Sequence, residues 1–531
     1  MENRLTMVRQ ELALFIGCSL LLTGCSPNGQ ITADTEDKKM PESDKVSEQQ
    51  TAPPDMIKLA GVEEPRGVRV NKAGNLPGYI MYTPLVSDTT YLIDREGNVV
   101  HTWKSDYAPS SEYLVNDGLI RGARVPDAPR FFGGGQGGRI EKLSWHGDLV
   151  WSFEQADERR LFHHDFEVMP NGNILSLCWE AKTREESLQA GRNPDNTPQA
   201  GLWPDMIVEI EPSSSGGKVI WEWHTWDHMI QNHDADLPDY GEPGRHPRKI
   251  DINAGPALTE ITAQQLAQAK KIGQAPGNAT LEDWGADMYH SNAIDYNAAL
   301  DQIAISVRSL SEIWVIDHGL TTAEAEGDAG DLLYRWGSPN NYGVSDSADG
   351  LGHQHDVRWI PAGYPGAGNI MIFSNDAKNA APPRSEVVEI TRPLNADGTY
   401  TDPDDSGFGP TQPVWRYSDG NFYSPFISGA HRSRNGNTLV TFGPQGRFVE
   451  VTPEGDIVWE YWTPYSGEVR MPDGSLPQPA HPFMYAVFRA TFVPEDHPAL
   501  IGKDLTPLDP QPEPSLLREE ELAPFRMDGA R

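Results

Sequence analysis

Four histidine-bearing runs, His163-His164-Asp165, Tyr289-His290-Ser291-Asn292, His353-Gln354-His355-Asp356 and Ala430-His431-Arg432, each stand just ahead of a segment rich in β-branched residues. A neutral imidazole is a nucleophile, a proton carrier and a metal ligand, so the chemistry open to such residues depends on what gathers them. One histidine at the head of a strand is ordinarily a satisfied core residue. Four at equivalent points form a candidate functional cluster, with Arg308 and Arg489 on strands that can reach it. Asp165 and Asp356 beside the histidines leave a Zn, Fe or Mn site open, although no two-His helix motif or Cys ligand set accompanies them.

The elements that must position these residues are repeats. A turn, a β-branched pair and a Trp recur at Glu96–Trp103, Gly147–Trp151, Val219–Trp223, Leu332–Trp336, Val414–Tyr417 and Ile457–Tyr461. Between them lie strand, turn, strand phrases such as Phe166–Leu175 and Ser433–Val440, each turning on Asn-Gly, a dipeptide whose residues tolerate positive φ and therefore close hairpins. Six such units predict an all-β, six-bladed propeller. Its inner strands line an axial channel, where the histidines from separate blades converge. The segment from Tyr79 to Asp94 lacks a preceding inner strand, and Tyr485 to Val493 lacks a following outer one, so the two ends are expected to complete one blade. An insertion at 225–288 carries helix signals from Thr262 through Gln265 to Gly273 and is expected as a lid on the channel-mouth face. Its His228, His233 and His246 read as solvated loop residues or as lid contacts.

The chain outside the propeller carries its own signals. Residues 1–24 hold Arg4, Arg9 and a short apolar run that ends in Leu22-Thr23-Gly24-Cys25, which reads as a lipoprotein signal with Cys25 as the lipid-bearing residue. Ser26 resembles outer-membrane retention, so a lipoprotein of the cell envelope is expected, in the periplasm and anchored to the outer membrane. Residues 25–60 are polar and read as a tether, 61–500 as the propeller domain, and 501–531 as a C-terminal tail. Loss of Cys18 with the signal leaves Cys25 and Cys178, so no internal disulfide is expected. The 43 basic against 77 acidic residues, a net charge of −34, disfavour nucleic acid as a partner and require any anion site to be built locally. Oligomeric state is not legible.

The runs Tyr289–Tyr296, Gln354-His355-Asp356, Asn435–Leu439, Phe448–Val451 and Ile457–Tyr461 together resemble the aryl-sulfate sulfotransferase family over about residues 75–500. The resemblance implies sulfuryl transfer from an aryl sulfate to a phenolic acceptor by a ping-pong route, with no cofactor, no metal and no nucleotide donor. It implies that His431 becomes sulfated while His290 and His355 hold the sulfuryl oxygens. His164, His353, Arg308 and Arg489 are further substrate-binding candidates. Where the family has an arginine after a strand ending in Asp-Asn-Gly, this chain has Phe373-Ser374-Asn375-Asp376, leaving Lys378 or Arg384 as the cation. Two other classes stay open: a metal-dependent propeller hydrolase or lyase, and a non-catalytic ligand-binding lipoprotein.

Overall fold

The computed structural model describes residues 60–517 apart from 86, 126–127, 129, 259–261, 264–265, 267–278, 346–348, 405–406, 421 and 468–482. The signal, the tether and nearly all of the helix anticipated from Thr262 to Gly273 lie outside these residues.

Six antiparallel sheets form the blades of a propeller. Counted from the innermost strand outward, blade 1 is Val487–Pro494, Gly78–Pro84, Thr89–Ile93 and Val99–Lys104. Blade 2 is Pro109–Val115, Gly118–Arg124, Gly138–Ser144 and Leu149–Glu154, and blade 3 is Arg160–Val168, Ile174–Glu180, Asp205–Ser213 and Gly216–His224. Blade 4 comprises Ser291–Asn297, Gln302–Val307, Glu312–Asp317 and Tyr334–Trp336; blade 5 comprises His355–Trp359, Ile370–Ser374, Glu386–Ile390 and Trp415–Tyr417. Blade 6 is Gly429–Arg432, Thr438–Phe442, Arg447–Val451 and Ile457–Trp462, with Gly67–Asn71 added outside it as a fifth strand.

The two ends of the domain close the ring as expected. Tyr79 pairs with Val493 and Tyr82 with Ala490, so the last strand in sequence is the innermost strand of the first blade. Closure leaves no open sheet edge between first and last blades. Inner strands touch one another all the way round, blade 1 against blade 2 and so on to blade 6 against blade 1.

The repeated Trp is the mortar between blades. Each sits on the fourth strand of its blade, and five of the six donate the indole N–H to the loop between the third and fourth strands of the following blade. The bonds are Trp151 to Gly216 O at 2.6 Å and, at 2.8 Å, Trp221 to Leu320 O, Trp336 to Pro410 O, Trp415 to Pro453 O and Trp459 to Arg95 O. Trp103 instead packs edge-on against Trp145 in the corresponding turn of blade 2, and the adjacent His101 supplies the bond, to Trp145 O at 2.8 Å. An aromatic body with one polar tip suits a joint that is apolar along its length and meets a carbonyl at its end. The hairpins turn where Asn-Gly stands, with Gly172 at φ 89° and Gly436 at φ 92°.

Antiparallel order decides which loops share a face. Inner strands begin where second strands end and third strands begin, so the second-to-third loops and the blade-to-blade connections all lie on one face. The connection from His224 to Ser291, which contains the insertion, leaves from and returns to that same face. Its described part is docked on blades 3 and 4: Met229–Ile230 pairs in parallel with Ile250–Asp251, Ile250 and Ile252 are buried with Trp223, and Arg335 bonds Lys249 O at 3.0 Å. His228 is not the solvated loop residue expected. It is fully buried, stacked on Trp223 at 5.0 Å, with Nδ1 3.0 Å from Asp331. Residues of the tail to 517 lie along blades 1 and 6, through Leu508 N–H to Val99 O and Ser515 N–H to Pro464 O. Cys178 is buried and unpaired.

Candidate active site

The inner strands of blades 3 to 6 meet the channel face through a distorted backbone. His164, His290, His353 and Asp356 have φ between 47° and 58°, and Ser428 has φ 89°, in the left-handed region that non-glycine residues seldom occupy. The sheets carry bulges at the same level, opposite Ser176–Cys178 in blade 3, at Ser291–Ala293 in blade 4 and at His355–Val357 in blade 5. A bulge redirects side chains that a regular pleat would alternate between faces, so neighbouring residues become usable in the channel. The result is two tiers.

The first tier holds His164, His290 and His355. The His164 and His290 rings are 4.5 Å apart, centroid to centroid. Every ring has a partner behind it on Nδ1. For His290 it is the carboxylate of Asp287. For His355 it is Asn375 Oδ1 at 2.7 Å; the amide of Asn375 donates to Ser424 O and Ile427 O, so its oxygen accepts and His355 carries the proton on Nδ1. For His164 it is Nδ1 of His163 at 2.9 Å, and His163 in turn stacks on Trp179 with its Nε2 3.3 Å from Asp205 Oδ1. Burial, and then the neighbouring histidines and Arg308, push His164 well below the usual imidazole range; burial and then Arg308 do the same to His355. Both rings are therefore neutral at pH 7. His355 Nε2 accepts the Ile427 N–H at 3.2 Å, so both of its nitrogens are engaged.

The second-to-third loops complete this tier. The loop Gly133-Gly134-Gly135 lies over His164 and His290: a Cβ on Gly135 would overlap the His164 ring, and one on Gly134 would stand 3.4 Å from His290 Cε1. Gly135 O also accepts the His164 N–H at 2.6 Å. Arg308 comes from the blade 4 loop. Asp376, from the blade 5 loop, holds His353 Nδ1 at 2.7 Å and accepts from Tyr423 OH. Burial works to raise Asp376, and these two bonds outweigh it.

The second tier lies one to five residues further along the inner strands and draws on all six blades. Arg489 bridges Asp356 at 2.5 Å and Asp165 at 2.9 Å. Arg358 bonds Asp356 at 2.9 Å, Asp165 at 3.2 Å, Glu167 at 3.3 Å and Tyr113 OH at 2.6 Å, and stands 3.6 Å from Asp295. The acids also tie adjacent blades: Asp295 accepts from Trp359 N–H at 2.6 Å and Asp356 from Ala430 N–H at 3.0 Å. Burial tends to raise Asp356, but Arg489 and Arg358 hold it far below the usual range. Glu167 and Asp295, which share the guanidinium of Arg358, are both pushed up by burial. His431 belongs here by contact, its Nε2 3.4 Å from Asp356 Oδ2. Burial first, with Arg358 and Arg489 adding to it and Asp356 opposing, holds its pKa down at about 4, yet 24% of the side chain is exposed.

Of the residues singled out in the sequence, His164, His290, His355 and Arg308 come together, while His431 sits in the adjoining tier. Arg489 is spent on Asp165 and Asp356 and is part of the frame rather than an open anion site. Arg384 is exposed, and Lys378 lies half-buried beside Gly350; the cation whose charge acts on His164 and His355 is Arg308. The contributions of Asp287, Asn375, Asp376 and the glycine loop went unread. The run Gly133-Gly134-Gly135-Gln136-Gly137-Gly138 was the one local signal that backbone approaches something closely here. Among the described residues no group of three or more His, Cys, Asp or Glu is arranged to hold a metal ion, and no helix is long and apolar enough to cross a membrane.

The family model Arylsulfotransferase (ASST) matches residues 78–461. No curated protein matches the chain. Solved structures that resemble it include a protein of unknown function from Bacteroides caccae (11% identity, 73% of this chain and 94% of that chain covered, TM-score 0.38) and streptogramin B lyase (11%, 78% and 89%, TM-score 0.32). Kuenenia stuttgartiensis hydrazine synthase is similar at 9% identity, with 72% of this chain and 78% of that chain covered and a TM-score of 0.30.

Proposed function

Since the chain belongs to the arylsulfotransferase (ASST) family, we propose that it moves a sulfuryl group from an aryl sulfate to a phenolic acceptor in this channel, through a sulfated His431 and without a nucleotide donor. The observation that carries the reading is the state of His431: a partly exposed imidazole held neutral by burial and by two guanidinium groups is a free base at pH 7. With Nε2–H turned to Asp356, Nδ1 carries the lone pair. Attack on sulfur forms the N–S bond and breaks the S–O bond to the aryl group, and the departing phenolate takes a proton from His290. The acceptor phenol then returns a proton to His290 as its oxygen attacks sulfur and the N–S bond breaks. Asp287 behind Nδ1 leaves His290 Nε2 to handle that proton. Sulfuryl transfer resembles phosphoryl transfer, with charge spread over peripheral oxygens, which a fixed guanidinium such as Arg308 stabilises. His355 reaches a sulfuryl oxygen only by giving up the Ile427 N–H.

A second reading makes His290 the sulfated residue, favoured by its carboxylate partner. Mass spectrometry of enzyme quenched with 4-nitrophenyl sulfate alone separates the two: the adduct is expected on His431. An adduct on His290 transfers the role, while no adduct together with loss of turnover on chelation would favour the metal-dependent hydrolase or lyase. The proposal extends to place, with Cys25 as a lipid anchor at the outer membrane. Replacing it (Cys25→Ser) is expected to release the protein from the membrane fraction, and unchanged retention would sink the anchor.

A further inference from the structure

Beside the histidine tier lies a cavity of about 520 Å³, within the ~300–1,000 Å³ range of small-molecule sites. It shares Arg308 and His353 with the tier. The insertion supplies Asp251, Asn253 and Ala254–Pro256, the blade 4 loop Ser309–Ser311, and the connection to blade 5 Ser338, Asn340 and Asn341.

The chemistry of this wall does not suit a phenol ring. Among the described residues no Phe, Tyr or Trp lines it, and the apolar side chains are those of Ala254, Pro256 and Leu310. Nor does it suit a further anion, because the Asp251 carboxylate faces the same space as Arg308. What remains is a set of groups that both donate and accept: the hydroxyls of Ser309, Ser311 and Ser338 and the carboxamide of Asn340. Some are already fixed. Ser311 Oγ accepts the His353 N–H at 3.1 Å, and Asp251 Oδ1 accepts the Asn253 N–H at 2.8 Å, leaving its other oxygen. A neutral ligand with several adjacent hydroxyls and one C–H face matches such a wall.

We propose that the cavity binds a sugar or similar polyol carried by the phenolic acceptor, so that the preferred acceptor is a phenolic glycoside whose free phenol reaches the histidine tier past Arg308 and His353. The assignment rests on the sulfotransfer reading for the word acceptor, and on the cavity alone for the sugar.

Isothermal titration of the full chain with 4-hydroxyphenyl β-D-glucopyranoside and with 4-methoxyphenol tests it without turnover. The glucoside is expected to bind about tenfold more tightly, the effect of one or two net hydrogen bonds. The paired change Ser309→Ala and Asn340→Leu is expected to erase that preference and to leave 4-methoxyphenol binding and its sulfation unchanged. Equal binding of the two phenols, or a preference that survives the paired change, overturns the inference. A preference that is lost in the variant while neither phenol is ever sulfated would uphold the polyol site and count against the sulfotransfer reading instead.

Discussion

The two tiers of the channel use adjacent residues of the same strands and are built on opposite principles. In the charged tier the guanidinium groups of Arg358 and Arg489 are consumed by acids, all but the Arg358–Asp356 contact from other blades, and those acids by guanidinium or backbone N–H groups. In the histidine tier each ring is held from behind on Nδ1, by Asp287, Asn375 or His163, and His355 is engaged on Nε2 as well, by the Ile427 N–H. A network closed on itself fixes a structure; rings held from one side keep a site for something that arrives. His431 is the exception, in the first class by contacts and in the second by exposure.

The largest expected effect probes that exception. His431→Asn should lower kcat by about 10³-fold or more, as loss of a nucleophile does, with circular dichroism and the melting profile nearly unchanged. Transfer that survives at more than a tenth of the rate would return His431 to the frame and move the chemistry to the histidine tier.

Arg489→Met measures the charged tier. Buried Asp165 and Asp356 would lose one of the two guanidinium groups they share, and breaking a buried pair in this way costs roughly 3–5 kcal/mol, read by urea denaturation. A loss below about 1 kcal/mol, the scale of surface ion pairs, would mean that the tier is not the frame.

Smaller and opposite in kind are changes to the histidine tier. His290→Asn and Arg308→Met should each lower kcat by about 10²-fold, as removal of one transition-state contact does, with little loss of stability. His355→Asn should do the reverse, affecting melting more than rate, because Asn375 and Ile427 hold both of its nitrogens. A rate loss for His355→Asn equal to that of His290→Asn would show that His355 releases Ile427 during the reaction.

The subtlest contrast is with pH. The lowered pKa of His431, about 4, keeps the free base until the medium is strongly acid, so kcat/KM should fall through about pH 4 rather than through the ordinary histidine range. The same shift is a stability contribution that is complete above the unfolded histidine pKa and is lost as pH falls toward 4, because the unfolded chain binds the extra proton. Glu167 and Asp295 act in the other sense. Their pKa values are raised by burial, the native state holds more protons than the unfolded one, and stability falls as pH rises past the ordinary carboxylate range. Glu167→Gln should flatten that decline in a series of melting temperatures; an unchanged slope would assign it to other groups.

The propeller, its six blades, its closure and the level at which the histidines stand were legible in the residues alone. These follow from short-range patterns: a Trp on the fourth strand of every blade to reach the next blade's turn, Asn-Gly where a hairpin must close, and an unpaired strand at each end that needs the other. Strand order then puts every strand-heading histidine on one face. Partnership was decided only by the tertiary structure. Asp287, Asn375 and Asp205 became the groups behind the rings, and Arg308 rather than Lys378 or Arg384 became the cation beside them, because bulges and left-handed residues at the strand heads set where each side chain turns. Arg489 shows the same limit. Its place on an inner strand could be read, but whether its guanidinium would meet a ligand or two carboxylates from blades 3 and 5 depended on packing across the channel between residues 133 and 324 positions apart.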